Sequence, residues 1–198
     1  MLYFMFNKPQ GCVTAVRDKS EHTVMEYFPP DLARKLHPVG RLDKDTSGLL
    51  IFTDDGTLDL KIMQPEKHVS KTYIFHAFGN ITDEKIAALE RGVQLDTFTT
   101  KPAKFGLIRR CTVSDLEPIM PADKREHYMK NPDGPAFIGT LTICEGKKHQ
   151  VKRMLEAVHC KVLHLHRESI GGLVLDSRLS AGDYRPLTDE ELRLLLEK

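Results

Sequence analysis

The residues best placed to do chemistry lie in one run, Gly40-Arg41-Leu42-Asp43-Lys44-Asp45-Thr46-Ser47-Gly48-Leu49-Leu50-Ile51-Phe52-Thr53-Asp54-Asp55-Gly56. Three chemistries fit its carboxylates. Asp43, Asp45, Ser47, Gly48 and Asp54 fall on positions one, three, five, six and twelve of a calcium-binding EF-hand loop, with Asp at the last position where Glu is usual. That loop needs a helix on each side. Here Pro38 and Gly40 precede it and an apolar, β-type run fills its second half, so context argues against calcium. A second reading pairs Asp43 with Asp45, which in an extended segment point the same way, as two carboxylates of a glycosidase-like site. A third presents Asp43 alone, as nucleophile or base, just ahead of a buried strand; an Asx turn is the plain structural use of such a residue. Local pattern leaves the last two open.

The elements that must hold this run follow from patterning. Residues 2–7 and 11–16 read as short strands around the turn at Asn7-Lys8-Pro9-Gln10-Gly11. Thr23–Tyr27 and Pro30–Leu36 read as short helices or turns, and His37–Asp43 as extended loop, because Pro38 disfavours helix at His37. Leu49–Thr53 is a strand stopped by Asp54-Asp55-Gly56, and Thr57 opens a helix to about Met63 with Pro65 beyond its end. Lys71–Phe78 alternates as a strand, and Thr82 starts a helix that Gly92 stops. Lys101–Leu107, Cys111–Leu116 and Phe137–Cys144 read as strands, and residues 118–135, rich in Pro, Asp, Gly and Lys, as a surface insertion. Val151, Met154, Leu155 and Val158 mark a helix over His149–Val158. Val162–Leu165 and Leu173–Leu175 are strands, and Thr188 starts a terminal helix over Asp189–Glu197. Strand-rich blocks with irregularly placed helices indicate an α+β fold with a mixed sheet.

The 198 residues suffice for a core that needs neither metal nor disulfide. The four cysteines, Cys12, Cys111, Cys144 and Cys160, have no Cys-x-x-Cys spacing and read as reduced, mostly buried thiols. No apolar run reaches membrane-span length, and the N-terminus lacks the basic start and cleavage site of a signal peptide, so the expected location is cytoplasmic. His159-Cys160 and His164-x-His166 offer too few ligands at convincing spacing for zinc. The formal net charge of +1 excludes nothing, but its distribution is uneven. Lys147, Lys148, Lys152, Arg153, Lys161 and Arg167 cluster against only Glu145 and Glu156, and Lys101, Lys104, Arg109 and Arg110 form a smaller group. Each run taken alone is an ordinary solvated face; two of them in a neutral chain hint at a polyanionic partner.

The Asp43 segment resembles the signature of pseudouridine synthases, Gly-Arg-Leu-Asp followed by Thr-x-Gly-Leu-Leu and a closing Asp-Gly. Four more stretches resemble that family's motifs in the same order: Asn7-Lys8-Pro9-x-Gly11; Lys71-Thr72-Tyr73; Glu145-Gly146-Lys147-Lys148-His149-Gln150-Val151-Lys152-Arg153-Met154; and Leu165–Leu173 with Gly182-Asp183-Tyr184-Arg185-Pro186-Leu187. The chain looks most like the RsuA family, the small-subunit ribosomal RNA type; Gly92-Val93-Gln94-Leu95 and Thr100-Lys101-Pro102-Ala103 add to that likeness. The resemblance starts at residue 1, so the expectation is a single catalytic domain over 1–198 without the N-terminal S4-type RNA-binding module common in this branch. Its subdomains are expected over about 1–65 and 66–198, with room for the C-terminal segment to cross back, a mostly antiparallel sheet, and the active site in a cleft between them.

The resemblance implies isomerisation of a uridine to pseudouridine in ribosomal RNA, most directly small-subunit RNA, without a cofactor or metal. It makes Asp43 the catalytic carboxylate, Lys152 the cation paired with it, and Tyr73 the ring against the uracil. Arg41 fills the space left by the flipped base, and Lys147, Lys148, Arg153 and Arg167 hold phosphates. The implied partner is ribosomal RNA or an assembling ribosomal subunit, bound by a monomer with no membrane contact. The competing readings are a non-catalytic RNA-binding or ribosome-assembly factor, the same reaction on large-subunit RNA, and a glycoside hydrolase, which lacks a convincing second carboxylate.

Overall fold

A computed structural model describes residues 1–63 and 69–195, which group into two compact units. The first comprises Met1–Lys71 and His166–Lys198, the second Thr72–Leu165. The C-terminal segment from His166 belongs to the first unit. The position of Pro65 past the second helix, and the last residues of the expected terminal helix, lie outside the described residues.

In the first unit the strands are β1 (Tyr3–Lys8), β2 (His37–Val39), β3 (Thr46–Thr53), the C-terminal part of β7 (Lys161–Ile170), β8 (Leu173–Val174) and β9 (Tyr184–Pro186). They run in the order β7-β3-β1-β9, with β2 also on β3 and β8 on β7. β1 and β3 are antiparallel in register from Tyr3 opposite Thr53 to Lys8 opposite Gly48. Leu49, Leu50, Ile51 and Phe52 are all fully buried, which explains why this stretch is continuously apolar: both faces of β3 are covered. On one face Met5, Leu49 and Ile51 pack with Leu58 and Ile62 of α2 (Gly56–Met63), and with Ile170, Leu173 and Leu195. On the other, Phe4, Phe6, Phe28, Phe52 and Tyr184 form an aromatic cluster, with Phe28 4.3 Å from Tyr184 and 4.6 Å from Phe52 between ring centroids. The short α1 (Pro30–Ala33) and α6 (Asp189–Leu194) complete this unit, α6 starting at a capping box between Thr188 and Glu191.

The second unit is built on β4 (Lys71–Phe78), β5 (Lys104–Thr112), β6 (Pro135–Ile143) and the N-terminal part of β7, in the order β5-β6-β4-β7. α3 (Asp83–Arg91), α4 (Ala122–Tyr128) and α5 (Gln150–Ala157) lie among them in the chain. Thr82 caps α3 through its hydroxyl and Gly92 ends it. α5 buries Val151, Met154 and Leu155, the apolar stripe visible in the sequence. The fold is α+β, with mainly antiparallel pairing, as the patterning indicates.

Four local expectations need correction. Residues 11–16 form no strand beyond a bridge from Val13 to Thr23, because their polar groups turn to the Asp43 loop. His37–Val39 is a strand on β3, and β3 itself starts at Thr46 rather than Leu49. Cys111–Leu116 is not a strand: Cys111 and Thr112 end β5, and Asp115 accepts hydrogen bonds from the Thr112 amide (2.8 Å) and hydroxyl (2.9 Å), turning the chain into a 3-10 helix over Ser114–Ile119. Residues 118–135 are more than a surface insertion. They carry α4, and Met120, Tyr128 and Met129 pack into a core cluster with Val113, Leu116 and Leu163.

Candidate active site

Asp43 sits in the loop from β2 to β3, and that loop is held carbonyl by carbonyl. The Leu42 oxygen accepts from the Thr14 hydroxyl (2.8 Å), which in turn accepts from the Leu42 amide (3.1 Å). The Asp43 oxygen accepts from the Thr46 amide (3.0 Å) and from Lys8 Nζ (3.1 Å). The Lys44 oxygen accepts from the Gly11 amide (2.8 Å), the Asp45 oxygen from Gln10 Nε2 (2.9 Å), and the Thr46 oxygen from Lys8 Nζ (2.9 Å). Five consecutive carbonyls are thereby fixed by the segment Lys8–Thr14. A loop tied at every peptide has little freedom, and its side chains are presented at set positions.

Lys8 is the centre of this arrangement, fully buried, with the carbonyls of Pro9, Asp43 and Thr46 accepting from its ammonium. A buried cation is tolerated where such oxygens replace water. In the sequence Lys8 stands only as part of the Asn7-Lys8-Pro9 motif. The signal was present: Phe4, Phe6 and Lys8 share one face of a strand by their spacing of two, so Lys8 follows two buried aromatics inward. Within the loop the same alternation buries Leu42, while Asp43 is half-buried and Arg41 exposed. The carboxylate and guanidinium thus flank an anchoring leucine. The flanking elements are strands, so the loop is not an EF-hand.

Gly48 fixes how β3 meets β7. Its φ is +105°, and a Cβ there would lie 2.2 Å from the Arg167 carbonyl oxygen. Arg167 is only 3% exposed and donates from Nε to the Leu49 oxygen (2.8 Å), bracing β3 from within. His166 bonds Ser47 (2.9 Å) through Nδ1, and burial lowers its pKa. The four cysteines are free, and among the described residues no group of three or more His, Cys, Asp or Glu side chains is disposed to hold a metal.

In the second unit Tyr73 is a buried position of β4, alternating inward with Lys71, Phe75 and Ala77. Lys152 and Arg153 are half-buried on α5, beside its apolar stripe, and Lys147 and Lys148 are exposed just before it. The turn ahead of α5 is organised by Gln150, buried, whose Oε1 accepts from the Lys147 amide (3.0 Å) while Nε2 donates to Glu145 (2.7 Å). The same Glu145 oxygen accepts from the Lys101 amide (2.7 Å). Arg153 pairs with Asp96 (3.2 Å), and both Arg153 and Lys147 lie over the Phe98 ring. The expected site residues thus divide between the units, Arg41, Asp43 and Arg167 in the first, Tyr73, Lys147, Lys148, Lys152 and Arg153 in the second.

Comparison with known proteins identifies the fold. The family model for RNA pseudouridylate synthase matches residues 2–157. The ribosomal small subunit pseudouridine synthase A of Escherichia coli (strain K12) is 42% identical over 192 residues, covering 96% of this chain and 72% of that protein. An RNA pseudouridine synthase of Bacillus subtilis (strain 168), YtzG, is 41% identical over 198 residues, covering 99% of this chain and 74% of its own length. A crystal structure of a pseudouridylate synthase superposes with a TM-score of 0.80 at 39% identity, over 98% of this chain and 73% of that one. The archaeal box H/ACA Nop10–Cbf5 complex shares the fold at a TM-score of 0.57 and 15% identity, over 91% of this chain and 51% of that one. With the match running through the Asp43 loop and the segment around Lys152, the chain belongs to the RNA pseudouridine synthase family, on its RsuA-type branch.

Proposed function

We propose that this pseudouridine synthase isomerises a uridine of small-subunit ribosomal RNA, using Asp43 as the catalytic carboxylate. The observation that carries the reading is the Asp43 loop: a half-buried carboxylate on a loop fixed at five successive carbonyls, in a chain 42% identical over 96% of its length to small-subunit synthases. Fixed geometry is what a reaction at one ribose carbon requires.

In this reading the bond from C1′ to uracil N1 breaks, the base turns, and C1′ joins C5. The C5 proton leaves and N1 takes one up, so the reaction balances without oxidant, reductant or added group. Asp43 acts at the sugar, either by attacking C1′ or by removing a proton from C2′. A stacked uridine must first leave its helix, at a cost of a few kcal/mol, and the exposed Arg41 beside Asp43 suits the role of filling the vacated space. Tyr73 is the ring against the uracil and Lys152 the cation that serves the carboxylate; both assignments rest on the family motif. Lys147, Lys148 and Arg153 hold RNA phosphates, the two lysines being exposed as that role demands.

The test is tritium release from C5-labelled uridine in small-subunit RNA and in its partly assembled subunit, with the wild type and Asp43→Asn. Release by the wild type and none by the variant is expected. Release only from large-subunit RNA would move the substrate, and release by Asp43→Asn at the wild-type rate would remove Asp43 from the chemistry.

A further inference from the structure

Phe98 has a placement that the reaction does not call for. It sits near the tip of a tight loop between α3 and β5, partly exposed, with exposed residues at Asp96, Thr97 and Thr99 around it. The loop is rigid. The Leu95 amide donates to the Phe98 oxygen (2.9 Å), Gln94 and Thr99 bridge, and the Thr100 amide donates to the Val93 oxygen (2.9 Å) while its hydroxyl accepts from the Val93 amide (3.0 Å). Gly92, at φ +94°, lets the loop base close against the Thr100 carbonyl, which a Cβ would meet at 2.3 Å.

Two cations from a distant part of the chain converge on this ring. Lys147 Nζ is 5.8 Å and the Arg153 guanidinium carbon 5.6 Å from its centroid. Both distances are close to the outer limit for a cation–π contact, about 6 Å, and Phe98 as a whole is only part-buried. Arg153 is also bridged to Asp96, whose side chain is 92% exposed. A part-buried aromatic ring on a hydrogen-bonded loop, with Lys147 and Arg153 over it, has the composition of a platform for unpaired nucleic acid: a ring for a base, cations for its phosphates. A duplex, whose bases are already stacked, would use the cations alone.

We infer that Phe98, with Lys147 and Arg153, forms a stacking subsite for an unpaired nucleotide of the RNA substrate. It rests on the reading of RNA as substrate, and deepens it by naming the form of RNA the second unit takes. Asp96 tunes the subsite by occupying Arg153 and by opposing incoming phosphate.

Fluorescence-anisotropy titration with labelled oligouridylate, and with a paired duplex of the same length, tests it. Phe98→Ala should bind the oligouridylate about tenfold more weakly and the duplex within about twofold of wild type. Phe98→Tyr, which keeps a stacking ring, should retain wild-type affinity, separating stacking from loop collapse. Asp96→Asn should bind both RNAs more tightly. Equal losses on the two RNAs, or a Phe98→Tyr as weak as Phe98→Ala, would overturn the subsite and make the ring a mere prop for its loop. The two proposals fail separately: a wild type silent in tritium release yet Phe98-dependent in binding removes the ribosomal reaction only, whereas full release with binding indifferent to Phe98 removes the subsite only.

Discussion

At the residue scale the Asp43 loop is held by a buried cation. Lys8 donates to the carbonyls of Pro9, Asp43 and Thr46 from a fully buried position, so its charge is used to fix the Asp43 loop from beneath. Lys8→Met keeps the apolar stem and removes the donors. Each buried carbonyl left unsatisfied costs about 1–3 kcal/mol, and a loop displaced by even about 1 Å can slow the chemical step roughly a hundredfold. Lys8→Met should therefore lower both the melting temperature and the single-turnover rate of tritium release, with kcat falling much more than KM rises. A folded Lys8→Met of normal rate would show that the loop holds itself. Gly48 is constrained in a different way, by φ +105° and by the Arg167 backbone 2.2 Å from where a Cβ would stand. Since the clash is with backbone, neither side can yield cheaply, and Gly48→Ala should lose about 3 kcal/mol or more in urea unfolding. A loss below about 0.5 kcal/mol, the range of neutral surface changes, would contradict this packing.

At the element scale, what the sequence made legible and what it hid follow from the range of the interactions involved. β4, α3 and α5 are readable because their signals are local: strict alternation in Lys71–Phe78, Thr82 and Gly92 at the ends of one helix, a stripe of apolar residues in the other. Residues 11–16 mislead because their β-type composition serves a loop far along the chain, and Thr14 spends its hydroxyl on Leu42 rather than on a ladder. β9 has no local signal, being a three-residue strand held on β1, where Phe4 to Phe6 pair with Pro186 to Tyr184. Its Arg185 ties the C-terminal elements together, donating to Glu191 of α6 at 2.6 and 2.9 Å and to Asp176 at 2.9 Å. This ion network makes the segment acid-sensitive. Arg185 holds the Glu191 carboxyl at about 2, from an ordinary 4.5, and Arg178 with Arg185 holds Asp176 well below the carboxylate range. Because both are depressed in the folded state, they bind fewer protons there than when unfolded. Their stabilisation is complete above about pH 4.5 and is lost as pH falls toward 2. Glu191→Gln should flatten the acid limb of a plot of urea midpoint against pH, while the limb above pH 5 stays parallel to wild type. An acid limb of unchanged steepness would place the acid sensitivity in other carboxylates.

At the scale of the whole molecule, composition conceals what placement supplies. The net charge of +1 gives no long-range pull on a polyanion, and affinity for RNA must come from local concentration of cations. Arg167, which the charge pattern adds to that concentration, is buried and donates to the Leu49 oxygen. Lys147 and Lys148 are exposed on the turn before α5, and the backbone of that turn is braced by Gln150 and Glu145. Each phosphate that such a group neutralises releases condensed counterion and steepens the dependence of binding on salt, by about 0.7 in the slope of log K against log salt for single strands. Lys147→Ala with Lys148→Ala should therefore weaken RNA binding at low salt and shrink the slope by about 1.4 if both contact phosphate on a single strand. The melting temperature should hardly move, since both side chains are exposed. The measurement is a series of binding titrations across salt concentrations with the wild type and the double variant on one RNA. Parallel lines for the two proteins would mean that neither lysine meets a phosphate, and the electrostatic contact would have to be sought at Lys101, Lys104, Arg109 and Arg110. Converging lines, with affinities that meet at high salt, would assign the charge-dependent part of RNA binding to this turn.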